Sequence, residues 1–164
     1  MAPPTRRRSR YARNVIPLIC ADEGCNIASA ASSLKEGATA MARGLSANVL
    51  LFNAIVERGF NQGDLSVADE VCAAKLSEHE YHAKKGLPGS EILKHQIQTA
   101  RKNIEGLTLI VEDLIEDGEK VWARSKCTGT HRASGESIAV TLVDICRFEN
   151  GKLVEHWGTY GSAS

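Results

Sequence analysis

The chain has no excess of either charge: 20 Lys and Arg stand against 20 Asp and Glu in 164 residues, a formal net charge of zero. Nucleic acids and membrane surfaces recruit proteins through a sustained basic field, so this balance argues against both as partners. Long apolar runs are missing as well. The longest, such as residues 49–52 and 107–111, fall far short of the roughly 20 residues that a membrane span needs. Paired cysteines are also absent. Cys20, Cys25, Cys72, Cys127 and Cys146 are odd in number and form no C-x-x-C, which fits reduced thiols in a cytoplasmic protein better than a disulfide scaffold. No glycine-rich phosphate loop and no nucleophile elbow occurs. The partner that these absences leave is a small molecule.

The length suits one domain with its own core plus an extension. Residues 1–45 form that extension, poorly ordered or loosely helical. Five arginines (Arg6, Arg7, Arg8, Arg10, Arg13) precede a short apolar stretch broken by Pro17. A secretory signal or an organellar transit peptide would also begin this way, but the stretch is short and lacks a small-residue cleavage site. Met41 is an alternative start. The domain proper is expected over 46–164.

Within it, Val49, Leu50, Phe52, Ile55 and Val56 fall near helical spacing, and Gly59 with Asn61-Gln62-Gly63 supplies a stop. A second helix is capped by Asp64 or Ser66, and a third begins at Pro88-Gly89 with Ser90 as its cap. After Gly106 the texture turns to strands at 107–115 and 121–130 around Asp117-Gly118, then 137–148 and 152–160 around Asn150-Gly151, a strong signal for a type I′ turn. Three helices followed by a meander indicate an α+β fold, with helices on one face of a curved, mostly antiparallel sheet.

A two-residue loop at 150–151 pairs Glu149 with Lys152 and sets Phe148 against Leu153, Cys146 against Glu155 and Asp144 against Trp157. Val143, Ile145, Arg147, Val154 and His156 then fall on the other face. The face with Phe148, Leu153 and Trp157 is the expected core side, and its carboxylates Asp144 and Glu155 give an apolar pocket a few polar groups. Because the second face is also apolar, a homodimer through the sheet is expected.

Five segments, in order, resemble the SnoaL-like polyketide cyclases, or ester cyclases: Asn61-Gln62-Gly63-Asp64-Leu65, Val111-Glu112-Asp113-Leu114-Ile115, Gly129-Thr130-His131, Asp144-Ile145-Cys146-Arg147-Phe148, and Glu149 through Trp157. The resemblance implies the cone-shaped α+β barrel of the nuclear transport factor 2-like superfamily, usually dimeric, with its pocket between sheet and helices. It implies an intramolecular aldol closure without metal or cofactor, with Asp144 as acid/base. The chain departs from the family in having the short Arg132-Ala133-Ser134-Gly135-Glu136 where relatives carry an insert with a Pro-Thr-Gly turn, which alters the pocket mouth.

An aldol closure needs a base, a group that stabilises the enolate and an acid for the new alkoxide, and one carboxyl can serve as both base and acid. The unperturbed aspartate pKa is about 3.9; burial beside Trp157 and Glu155 would raise it. Glu155 either couples to Asp144 or pairs with Arg124 or Lys126. Trp157 stacks on a planar substrate or fills core. Arg124 binds an enolate or carboxylate, or is salt-bridged at the surface. His131 can polarise a carbonyl, and His79 lies toward the pocket rim. His79 and His82 form an H-x-x-H, but no third ligand at a recognisable spacing accompanies them, so a metal is not expected. Cys146 is expected to be a space-filling thiol. Other functions open to such a pocket are isomerase, dehydratase, hydrolase or non-catalytic binding of a small molecule.

Overall fold

The computed structural model describes residues 45–80 and 86–162; the expectations for residues 1–44 and for His82 lie outside them. The first helix, α1 (Ala47–Ala54), opens at Ser46, whose hydroxyl accepts the Val49 amide at 3.2 Å, one of the amides a helix leaves unpaired. It continues through Gly59 as a π-helical segment, Ile55–Asn61, and stops within the expected Asn61-Gln62-Gly63, burying Val49, Phe52, Ile55 and Val56.

Four hydrogen bonds hold its end. Arg101 donates to the carbonyls of Phe60 and Asn61 at 2.8 and 2.7 Å, and the Asn61 amide exchanges two hydrogen bonds with the Leu109 backbone. The Asp64 carboxylate then accepts the Ser66 amide at 2.9 Å and starts α2 (Ser66–Val71). Thus the Asn61-Gln62-Gly63-Asp64 stretch joins two helices to a strand.

A strand that the sequence did not announce follows directly: β1 (Cys72–Glu78) runs parallel to the last strand. Its Cys-Ala-Ala-Lys start has little β propensity, and the pairing comes from a partner some 80 residues on. The next helix, α3 (Gly89–Asn103), begins at Pro88, whose carbonyl accepts the Glu91 and Ile92 amides. Ser90 is therefore inside the helix and not its cap.

The remaining strands are β2 (Ile104–Asp117), β3 (Lys120–His131), β4 (Ser137–Glu149) and β5 (Lys152–Ser162). The sheet order is β1-β5-β4-β3-β2, with only β1 parallel. It is an open α+β cone and not a closed barrel. Val121, Ala123, Cys127, Cys146 and Phe148 face the helices and are buried with Val67, Val71 and Ile97. No helix among the described residues is long and apolar enough to cross a membrane.

The β4–β5 hairpin turns as expected. Asn150 and Gly151 both have positive φ, 50° and 71°, as a type I′ turn requires. Glu149 pairs with Lys152 and Phe148 with Leu153, but Arg147 then pairs with Glu155. Val154 is an extra residue, a β-bulge. Beyond it every β5 side chain changes face relative to the expected register. Asp144 lies opposite Gly158, Cys146 opposite His156, and Trp157 opposite Ile145. The edge strand β1 breaks its own register against the same stretch, between Cys72 and Ser77.

Candidate active site

The helices stand off the concave face of the sheet and leave a cavity of about 620 Å³, measured out into its open mouth. Phe52, Ile55, Val56 and Phe60 wall it from the first helix, Leu93 from α3, and Leu109, Leu142 and Leu153 from the sheet. The π-helical segment matters here because it carries Phe60 onto the wall.

The polar groups of the cavity form one hydrogen-bonded run. Gln96 donates to Glu78 Oε2 at 2.8 Å, His156 Nδ1 lies 2.9 Å from the same oxygen, and His156 Nε2 lies 3.3 Å from Asp144 Oδ1. The Glu80 amide also donates to Glu78. The Glu78 side chain is 1% exposed, that of His156 12% and that of Asp144 18%, so Asp144 is the end that solvent reaches. Burial by itself pulls the His156 pKa down. The hydrogen bonds and charges of Asp144 and Glu78 outweigh it and raise the pKa to about 9. Burial pushes Glu78 up in turn, and the hydrogen bond and charge of His156, with the hydrogen bonds from Gln96 and the Glu80 amide, together outweigh it and hold the carboxyl below its usual range. At neutral pH the run therefore holds an imidazolium, hydrogen-bonded to Glu78 on one side and to Asp144 on the other. Burial pushes the Cys146 thiol well up, so it fills space here and is no nucleophile.

The family model for SnoaL-like polyketide cyclases matches residues 51–164. The chain belongs to that family. Among solved structures it is similar to a candidate polyketide cyclase from Bacillus cereus, 26% identical over 72% of this chain and 80% of that one, with a TM-score of 0.60. It also resembles TsrD from Streptomyces laurentii, 24% identical over 70% and 87%, TM-score 0.62. A protein with a ketosteroid isomerase-like fold from Catenulispora acidiphila, 13% identical over 68% and 85%, TM-score 0.57, shares this nuclear transport factor 2-like α+β cone. None of the curated proteins compared matches the chain.

In this SnoaL-like domain the cavity holds Asp144 and none of the other residues selected from the sequence. The bulge at Val154 turns Glu155 and Trp157 to the convex face. There Glu155 accepts from Arg147 at 2.8 Å and lies 3.0 Å from His79 Nε2; Arg147 first and His79 second hold its pKa below the usual range. It pairs with neither Asp144, Arg124 nor Lys126. Trp157 stacks on His79 with ring centroids 4.6 Å apart and planes 4° from parallel. The reason for expecting either residue to act on Asp144 falls with the register.

Arg124 also points outward, to Glu112 and to Asp113 at 2.8 Å. This is the salt-bridged alternative, set by the alternation of β3 between buried Ala123 and Ser125. His131 ends β3, eight residues past the Ala123 that pairs with Asp144, and its Nδ1 lies 3.0 Å from Ser134 Oγ in the short turn.

His156, Glu78, Gln96 and Ser125 are the cavity residues that sequence reasoning missed. His156 was counted, but on the wrong face. Gly158 was the available signal, since a glycine inside a strand marks a bulge or a close approach. A Cβ there would stand 3.1 Å from Asp144 Oδ1 and 3.1 Å from His156 Cε1. Glu78 had only the two-residue spacing from Leu76 to indicate its face.

Proposed function

We propose that this SnoaL-like domain is a cofactor-independent acid/base enzyme acting on a small, carbonyl-rich molecule, most concretely by an intramolecular aldol closure. The observation that carries the proposal is the Glu78–His156–Asp144 run, ending at a solvent-reached carboxylate in an apolar cavity. Asp144 keeps the role implied by the family resemblance, and the histidine beside it is His156 and not His131.

In the proposed reaction the Asp144 carboxylate removes a proton from a carbon next to a carbonyl. The C–H electron pair moves into a C=C bond and the carbonyl pair onto oxygen. The enolate carbon attacks a second carbonyl of the same molecule, forming the C–C bond, and the resulting alkoxide takes the proton back from Asp144. His156, 3.3 Å from Asp144 Oδ1, holds that carboxyl group in position while the proton moves. Glu78, held by Gln96, balances the imidazolium. An isomerase or dehydratase would use the same first step. The cytoplasmic setting expected from the thiols is consistent with buried, free Cys72, Cys127 and Cys146.

The test is α-proton exchange. In D2O the protein should accelerate loss of the α-proton NMR signal of 1-tetralone, a compact aryl ketone, and Asp144→Asn should reduce that rate by about 100-fold or more. If Asp144→Asn exchanges as fast as the wild type, the acid/base reading fails, and a protein that binds the ketone without exchanging it is a binding domain.

The proposal includes a homodimer through the convex face. Ile115, Trp122, Ile145 and Trp157 form one row across four strands there, with Ile115 51% and Trp122 42% exposed.

A further inference from the structure

Ser125 differs from the other polar residues of the cavity. Its side chain is on the concave face of β3, the residue is 1% exposed, and Oγ has no hydrogen-bond partner among the described residues. Folded proteins pair their buried hydroxyls as a rule, because an unpaired one has given up its bonds to water without replacement. Gln96, Glu78, His156 and Asp144 are already joined to one another. Ser125 thus holds one donor hydrogen and its acceptor lone pairs unengaged.

Its position relative to Asp144 is fixed by the sheet. Ser125 pairs with Leu142, and Ala123 with Asp144, so Ser125 and Asp144 are diagonal neighbours on one face of adjacent strands, with Cβ atoms roughly 7 Å apart. A carbonyl oxygen and the hydrogen on the adjacent carbon can span that gap when each is held at about 3 Å. The donors of the neighbouring imidazolium are directed at Glu78 and Asp144, and a carboxylate only accepts. An acceptor-only oxygen beside Asp144 therefore finds its donor on β3.

We infer that Ser125 donates its hydroxyl hydrogen to the carbonyl oxygen of the ketone or ester whose α-carbon faces Asp144, and so is the oxyanion contact of the cavity. The inference rests on the acid/base reading of Asp144. As the α C–H bond breaks, the proton passes to the Asp144 carboxylate, and the electron pair moves through the forming C=C bond onto the oxygen that Ser125 holds. Charge grows on that oxygen, so the hydrogen bond strengthens toward the transition state. Ser125 keeps its proton throughout.

Two probes differing by that oxygen test it: 1-tetralone and its hydrocarbon counterpart tetralin. Their Kd values are measured by NMR titration against the wild type, Ser125→Ala and Ser125→Cys. In both variants the ratio of the tetralin Kd to the 1-tetralone Kd should fall about five- to tenfold, through weaker ketone binding, and α-proton exchange of the ketone should slow. A ratio unchanged in both variants overturns the inference. Equal weakening for both probes also overturns it, since that marks a packing role. Asp144→Asn in the same assay separates the two claims. If it stops exchange while the Ser125 variants keep the ratio, the Ser125 contact alone fails. If exchange survives Asp144→Asn while the ratio still collapses, the oxygen contact stands and the acid/base reading fails.

Discussion

At position 158 the absence of a side chain is what lets Asp144 and His156 meet. A Cβ would crowd both, at 3.1 Å from each, closer than ordinary contact. Gly158→Ala is expected to push the pair apart, lower the His156 pKa from about 9 toward its ordinary 6.5, and cost about 1 kcal/mol of stability. A histidine NMR titration beside urea unfolding reads both, and an unmoved titration would show that the contact is not what raises the pKa. Because the folded pKa lies above the unfolded one, the stabilisation His156 brings is complete below about pH 6.5 and is lost as pH rises through about 9. Glu78 acts in the opposite sense, its stabilisation present above its unfolded pKa and lost as pH falls through the depressed one. Asp144 was legible at this scale because its strand and its family motif agreed. Glu78 and Ser125 were not, since a lone acid after Leu76 and a serine in an alternating strand carry no chemical signature until the fold sets them against a cavity.

Among the elements, the β4–β5 hairpin shows how far local signals reach. The Asn150-Gly151 turn and its first two pairs follow from backbone preference at two positions. The bulge at Val154 does not, because it forms where β5 must also accept β1 from the other side. β1 itself escaped notice for the same reason: its low-propensity sequence becomes a strand through a distant partner. Deleting Val154 should remove the bulge and keep the faces, since Glu155 then follows Leu153 directly and stays opposite Arg147, with His156 opposite Cys146. In a histidine NMR titration the variant should therefore keep the His156 pKa near 9. A value near 6.5 would mean that the extra residue itself holds His156 on the concave face.

For the molecule as a whole, the open cone leaves one face of the sheet around the cavity and the other in contact with solvent. If the convex apolar row is the dimer interface, light scattering should give twice the chain mass for the wild type and the single mass for Trp122→Glu, with circular dichroism unchanged. A monomeric wild type would contradict it. The fold class and the placing of a pocket between helices and sheet were legible early, because periodicity and the family motifs both report on packing. Which groups enter that pocket depends on the bulge and on the edge strand, neither of which periodicity reports. The central claim is that Asp144, coupled to the His156 imidazolium, performs acid/base chemistry in that pocket. The rate of α-proton exchange from dilute 1-tetralone, followed against pH, tests it most directly. The account predicts a pH profile whose upper limb falls near pH 9, where His156 loses its proton, with the whole profile absent in Asp144→Asn. A rate that Asp144→Asn leaves intact, or an upper limb near pH 6.5, would contradict it.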